Sequence, residues 1–109
     1  MGHPVRRAMT FLFTDIVGST RMWQEDETAM RLAVQVHDTL AAEAIHGHEG
    51  HIVKHTGDGV FAVFAEPVRA ALAAIQFQTA LDAAAWPTAT PLRIRAVMLH
   101  GAAELRDGD

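Results

Sequence analysis

Apolar positions first gather in Thr10-Phe11-Leu12-Phe13-Thr14-Asp15-Ile16, and residues 9–16 read as a buried strand. Gly18-Ser19-Thr20 breaks the strand and offers Ser19 or Thr20 as the N-cap of a helix. The stretch 20–46 is helical in composition, with apolar Met30, Val34, Leu40 and Ala44. Glu25-Asp26-Glu27 interrupts and restarts it, and Gly47 and Gly50 end it. Two short strands, 51–56 and 60–64, flank Gly57-Asp58-Gly59; a short Gly/Asp turn between apolar runs is a strong hairpin signal. Pro67 suits a first helical turn. The alanine-rich stretch 67–85 then reads as a helix, with apolar Val68, Leu72, Ile75 and Leu81. Residues 86–91 are a loop. Leu92, Ile94, Ala96 and Met98 alternate with Arg93, Arg95, Val97 and Leu99, so 92–99 is a strand with a more polar face at its start. Residues 102–106 are expected to begin a return strand, with Asp107-Gly108-Asp109 as its turn.

The order strand, helix, strand, strand, helix, strand is that of a ferredoxin-like βαββαβ sandwich. The expected class is α+β: an antiparallel sheet with helices on one face, incomplete at the C-terminus. Residues 1–8 are read as an N-terminal arm in which Arg6 and Arg7 are solvated, and 9–109 as a partial domain.

Bulk properties narrow the function classes. With 109 residues the chain holds at most one small domain. A net charge of −4 argues against a general nucleic-acid binder, which carries a basic stripe. Cysteine is absent, which removes disulfides and thiolate metal sites and fits a cytoplasmic protein. No apolar run approaches the roughly 18 residues of a membrane span. No signal-peptide pattern follows the N-terminal arginines.

The candidate chemistry lies in two aspartates. Asp15 ends the first apolar run, and Asp58 sits in the turn before Val60-Phe61-Ala62-Val63-Phe64. A carboxylate at the end of a buried strand is costly unless something positive meets it. Two of them, on elements able to pair, point to a divalent cation. Hard cations such as Mg²⁺ are held by one or two carboxylates together with substrate phosphates, which points to nucleotide chemistry. Each aspartate also has a plainer role open to it: Asp15 as a helix cap, Asp58 as a turn residue. A glycine followed by hydroxyl residues, Gly18-Ser19-Thr20, offers free backbone N–H groups suited to phosphate or to ordinary capping. His46, His48, His51 and His55 lie around a Gly-rich connection without the spacing of a zinc site and read as solvated. His100 reads as structural, and the methionines, Trp23 and Trp86 as packing residues.

The segment Phe11-Leu12-Phe13-Thr14-Asp15-Ile16-Val17-Gly18-Ser19-Thr20, taken with Lys54-His55-Thr56-Gly57-Asp58-Gly59, resembles the class III nucleotidyl cyclases. Leu92-Arg93-Ile94-Arg95-Ala96-Val97-Met98-Leu99-His100-Gly101 is similar to a later strand of that family. Leu105-Arg106-Asp107-Gly108-Asp109 is similar to the turn that follows it. The resemblance runs from about Ala8 to the last residue and covers the front part of the family's domain.

The resemblance implies a nucleotide cyclase that makes 3′,5′-cyclic AMP and pyrophosphate from ATP, at sites between two domains. It implies two divalent cations, Mg²⁺ or Mn²⁺, on Asp15, Asp58 and the backbone carbonyl of Ile16. It places the phosphates in Val17-Gly18-Ser19-Thr20, and the adenine on Lys54 with Asp109 as acidic partner. The family's transition-state Asn and Arg would fall beyond Asp109. The expected partners are ATP and a second copy of the chain as a homodimer, with no nucleic-acid polymer and no membrane segment. An isolated piece lacking the Asn and Arg is expected to turn over slowly or not at all. The alternative is a non-catalytic nucleotide-binding or regulatory cyclase-like domain. A diguanylate cyclase is a further two-metal candidate, but its Gly-Gly-acidic-acidic-Phe hairpin is replaced here by Thr56-Gly57-Asp58-Gly59-Val60-Phe61.

Overall fold

The computed structural model describes residues 5–105, with side chains over 8–102. Its elements are β1 (Val5–Ile16), α1 (Ser19–Glu25), α2 (Glu27–Gly47), β2 (His51–His55), β3 (Gly59–Phe64), α3 (Pro67–Ala83) and β4 (Ile94–Leu105). The strands form one antiparallel sheet in the order β2-β3-β1-β4. This is the ferredoxin-like α+β sandwich, with the first helix split in two at Asp26.

Alternation along β1 sets the layers. Thr10, Leu12, Thr14 and Ile16 are buried, and Leu12 packs with Ala41, Ala44, Ala70 and Phe77 of the helices. Phe11, Phe13 and Asp15 therefore point to the opposite face. The two buried threonines are satisfied locally: Thr10 Oγ1 lies 2.9 Å from His100 Nδ1, and Thr14 Oγ1 accepts from the Val60 N–H at 3.2 Å.

β1 and β4 are longer than their apolar runs. Residues 5–8, expected as an arm, extend β1, and β4 continues to Leu105 instead of turning back at 102. The two extensions pair with each other, Val5 opposite Leu105 and Ala8 opposite Ala102, so each supplies the other's backbone partners. Asp107-Gly108-Asp109, expected as a turn, lies outside the described residues.

The cap of α1 also differs from expectation. Gly18, not Ser19 or Thr20, is the N-cap, in the left-handed conformation at φ 69°, and no side chain caps the helix. Asp26 separates α1 from α2 and caps the latter, its Oδ1 accepting from the Ala29 N–H at 3.0 Å. Asp26→Ala is expected to lower stability by about 1 kcal/mol, measured as a shift of the urea midpoint.

α3 buries a different stripe from the one its large residues mark. Ala70, Ala73, Phe77 and Leu81 face inward, whereas Val68, Leu72 and Ile75 are exposed. Alanines at the contact let α3 approach α2 closely, and the bulky residues fall on the solvent side. His37 of α2 is fully buried among these helices, edge-on to Phe77 with ring centroids 5.2 Å apart. Its Nδ1 meets Asp38 Oδ1 at 2.9 Å, and its Nε2 has no partner among the described residues.

The core has two clusters. One gathers Leu12, Val60, Phe64, Phe77 and Leu81; the other gathers Ile16, Met22, Met30, Ala33 and Leu92. Trp86 and Ile94 pack against both. Trp86 is fixed by its indole N–H, which donates to the Leu81 carbonyl at 2.9 Å. Among the described residues no helix is long and apolar enough to cross a membrane.

Candidate active site

β1 ends between its two neighbours, and both hold it. The Ile16 N–H donates to the Asp58 carbonyl at 2.7 Å, and the Val17 N–H to the Arg93 carbonyl at 2.8 Å. Asp15 lies opposite Gly59 of β3 on one side and Arg95 of β4 on the other. Antiparallel partners stand about 5 Å apart, so Asp15 and the residue before Gly59, which is Asp58, end adjacent strands as neighbours. The approach depends on Gly59: a Cβ there would fall 1.8 Å from the Thr14 carbonyl oxygen.

Two separate side-chain contacts flank this strand end. The Ser19 hydroxyl donates to Asp58 Oδ2 at 3.1 Å, a contact made possible by the turn at Gly18. Arg95 grips Asp15 with a two-pronged contact, Nε to Oδ1 and one terminal nitrogen to Oδ2, each 3.0 Å. Hydrogen bonding to Asp15, and then the charge of Asp15, raise the pKa of the guanidinium, and the charge of Asp58 adds to this. One guanidinium thus senses both carboxylates. A cleft of about 220 Å³ opens here, lined by Phe13, Thr14, Asp15, Arg95 and Val97. Phe13 stacks on Phe61 beside it, with ring centroids 4.5 Å apart and planes within 4°.

This donor set suits a hard divalent cation. It offers carboxylate oxygens from two strands at a partly exposed strand end, without soft ligands. Among the described residues there is no group of three or more His, Cys, Asp or Glu that could hold a metal ion. The histidines do not gather: His48 meets Gln76 and His55 lies near Asp38.

No protein-family profile matches the chain. It is 32% identical over 84 residues to the adenylate cyclase of Schizosaccharomyces pombe, covering 77% of this chain and 5% of that protein. A solved adenylate/guanylate cyclase/hydrolase from Silicibacter pomeroyi is 28% identical with a TM-score of 0.78, covering 98% of this chain and 64% of that one. An adenylate cyclase from Trypanosoma brucei superposes with a TM-score of 0.82 at 22% identity, covering 86% of this chain and 56% of that one. Its structural neighbours are class III adenylate/guanylate cyclase domains, and the yeast adenylate cyclase matches 77% of its length. The chain spans a small fraction of the curated yeast cyclase and somewhat over half of the solved cyclase chains.

Within this cyclase frame the remaining sequence-predicted residues fall into two groups. Ile16, Val17, Gly18, Ser19 and Thr20 run on directly from Asp15 beside Asp58. The Val17 amide is already engaged by Arg93, so only the amides after it are free to meet an anion. Lys54 does not join this cluster. It sits on β2 opposite Phe61, next to a bulge between Ile52 and Lys54. Directly opposed residues share a face, so Lys54 lies on the same helix-free face as Phe61 and Asp15, two strands away from the latter. Asp109 lies outside the described residues.

Arg95 is the residue that the sequence reading missed. It was visible only as part of the polar start of a strand. Its meaning depends on register, since pairing 80 residues apart is what sets it against Asp15.

Proposed function

We propose that this chain provides the cation- and phosphate-binding part of an adenylate cyclase domain, converting ATP to 3′,5′-cyclic AMP and pyrophosphate for cyclic-nucleotide signalling in the cytoplasm. The observation that carries this reading is the side-by-side placement of Asp15 and Asp58 at the ends of adjacent strands. In the reaction the ribose 3′ oxygen attacks the α-phosphorus in line, loses its proton, and the bond to the departing pyrophosphate breaks. Two divalent cations, Mg²⁺ or Mn²⁺, when bound lower the pKa of that hydroxyl and neutralise the triphosphate. Asp15, Asp58 and the Ile16 carbonyl would hold them. Ser19 keeps Asp58 turned toward the site. The amides from Gly18 to Thr20 bind phosphate oxygens, with Val17 shaping the approach.

Base selection falls to Lys54, a donor that meets the N1 acceptor of adenine, with Asp109 accepting from the exocyclic amine. The separation of Lys54 from the aspartates supports a site completed by a second copy, one copy holding the triphosphate and the other the base. The helix-free face offers the surface for that homodimer: Phe13, Val97 and Leu99 are exposed there.

The test is incubation of the chain with ATP and Mn²⁺ and chromatographic detection of cyclic AMP, alongside Asp15→Asn and Asp58→Asn. A slow, Mn²⁺-dependent yield of cyclic AMP from the parent chain, and its loss in each variant, are expected. Unchanged turnover in Asp58→Asn would refute the reading. Cation-dependent ATP binding without product would favour the non-catalytic alternative.

A further inference from the structure

Both oxygens of Asp15 accept hydrogen bonds from Arg95. The Arg95 fork reaches them at 3.0 Å each, from the strand directly opposite. Asp58 differs: among the described residues its side-chain hydrogen bond is to the Ser19 hydroxyl, which orients the carboxylate without neutralising it. The two aspartates therefore do not offer a cation the same welcome. We propose that Arg95 acts as an internal counter-ion that closes the cation site of the resting protein, so that a divalent ion gains Asp15 only by displacing the guanidinium. This rests on the reading that Asp15 and Asp58 are cation ligands.

Two effects act in the same direction. The fork occupies one lone-pair site on each Asp15 oxygen, and an arginine remains charged throughout the accessible pH range. A guanidinium pushed aside stays tethered on the neighbouring strand and repels the incoming ion by like charge. The pair is largely solvent-exposed, with the arginine side chain 68% and the aspartate side chain 43% accessible. Its closure is therefore modest and screened by salt, rather than a permanent lock.

The test is Mn²⁺ binding in the absence of nucleotide, followed by the electron paramagnetic resonance signal of the free ion, at low and high ionic strength. Arg95→Gln removes the charge at an exposed position. It is expected to tighten Mn²⁺ binding by roughly three- to tenfold at low salt, with a smaller gain at high salt. Arg95→Lys, which keeps the charge but loses the fork, should fall between the two. Asp15→Asn should weaken binding in the parent and in the Arg95→Gln background alike. If Mn²⁺ binds, is lost in Asp15→Asn and Asp58→Asn, and is unaffected or weakened by Arg95→Gln, the counter-ion role is wrong while the site stands. If no variant binds Mn²⁺, or the aspartates make no difference, the site itself is wrong and the counter-ion role falls with it.

Discussion

Gly59→Ala is expected to be the most damaging single methyl group that can be added near the site. Its Cβ would stand 1.8 Å from the Thr14 carbonyl oxygen and 3.1 Å from the Asp15 Cα. Both are backbone atoms of the central strand, so no flexible side chain can yield, and β1 and β3 must move apart. Forced overpacking of this kind belongs among the large mutational effects. A loss of about 3 kcal/mol or more is expected. In a domain of this size that lowers the melting temperature on the order of 10–20 °C, readable by circular dichroism. Because Gly59 faces Asp15 across the ladder, any folded remainder should also bind Mn²⁺ less tightly than the parent. A melting temperature within a degree or two of the parent would mean that the strands are not so close.

The second large effect is a contrast within one helix. Phe77→Ala empties a side chain that is 1% exposed, packed against the His37 ring and the Leu12 cluster. A cost of about 3–5 kcal/mol follows from lost transfer energy and the cavity left behind. Ile75→Ala, two residues earlier, removes a side chain 62% exposed and should change stability by about 0.5 kcal/mol or less. Urea titration separates them: the Phe77 variant should shift the midpoint strongly while the Ile75 variant overlays the parent. Equal shifts would contradict the stripe of α3.

That contrast shows where periodicity gave a false lead. Val68, Leu72, Ile75 and Leu81 mark a helix correctly, yet only Leu81 of the four is buried. An alanine-rich helix carries two possible inward faces, and hydropathy favours the one with larger side chains. The partner helix selects the other, because Ala70 and Ala73 allow close packing. His37 was hidden for a related reason: a polar residue on a buried stripe reads as an interruption until Phe77 and Asp38 are placed around it.

Element order and type were legible because the turn and cap signals were strong. The Gly57-Asp58-Gly59 turn, the Pro67 start and the break at Asp26 each fall at an element boundary. Strand ends were less legible. Residues 5–8 read as an arm and 102–105 as the start of a separate return strand; each instead extends its strand by pairing with the other's backbone. At the site, the backbone adjacency of Asp15 and Asp58 was legible from an apolar run ending in Asp15 and another that follows the Gly57-Asp58-Gly59 turn. The Ser19 contact and the Arg95 fork required the turn geometry at Gly18 and the β1–β4 register, neither of which a linear pattern encodes.

The position of Trp86 has a consequence for how the molecule comes apart. One indole, tied to the end of α3, rests against both groups of interior side chains, and Ile94 does the same from the sheet. Neither group can loosen without stripping contacts from the other. Melting is therefore concerted across both groups, and the strand end bearing Asp15 is lost together with the helices.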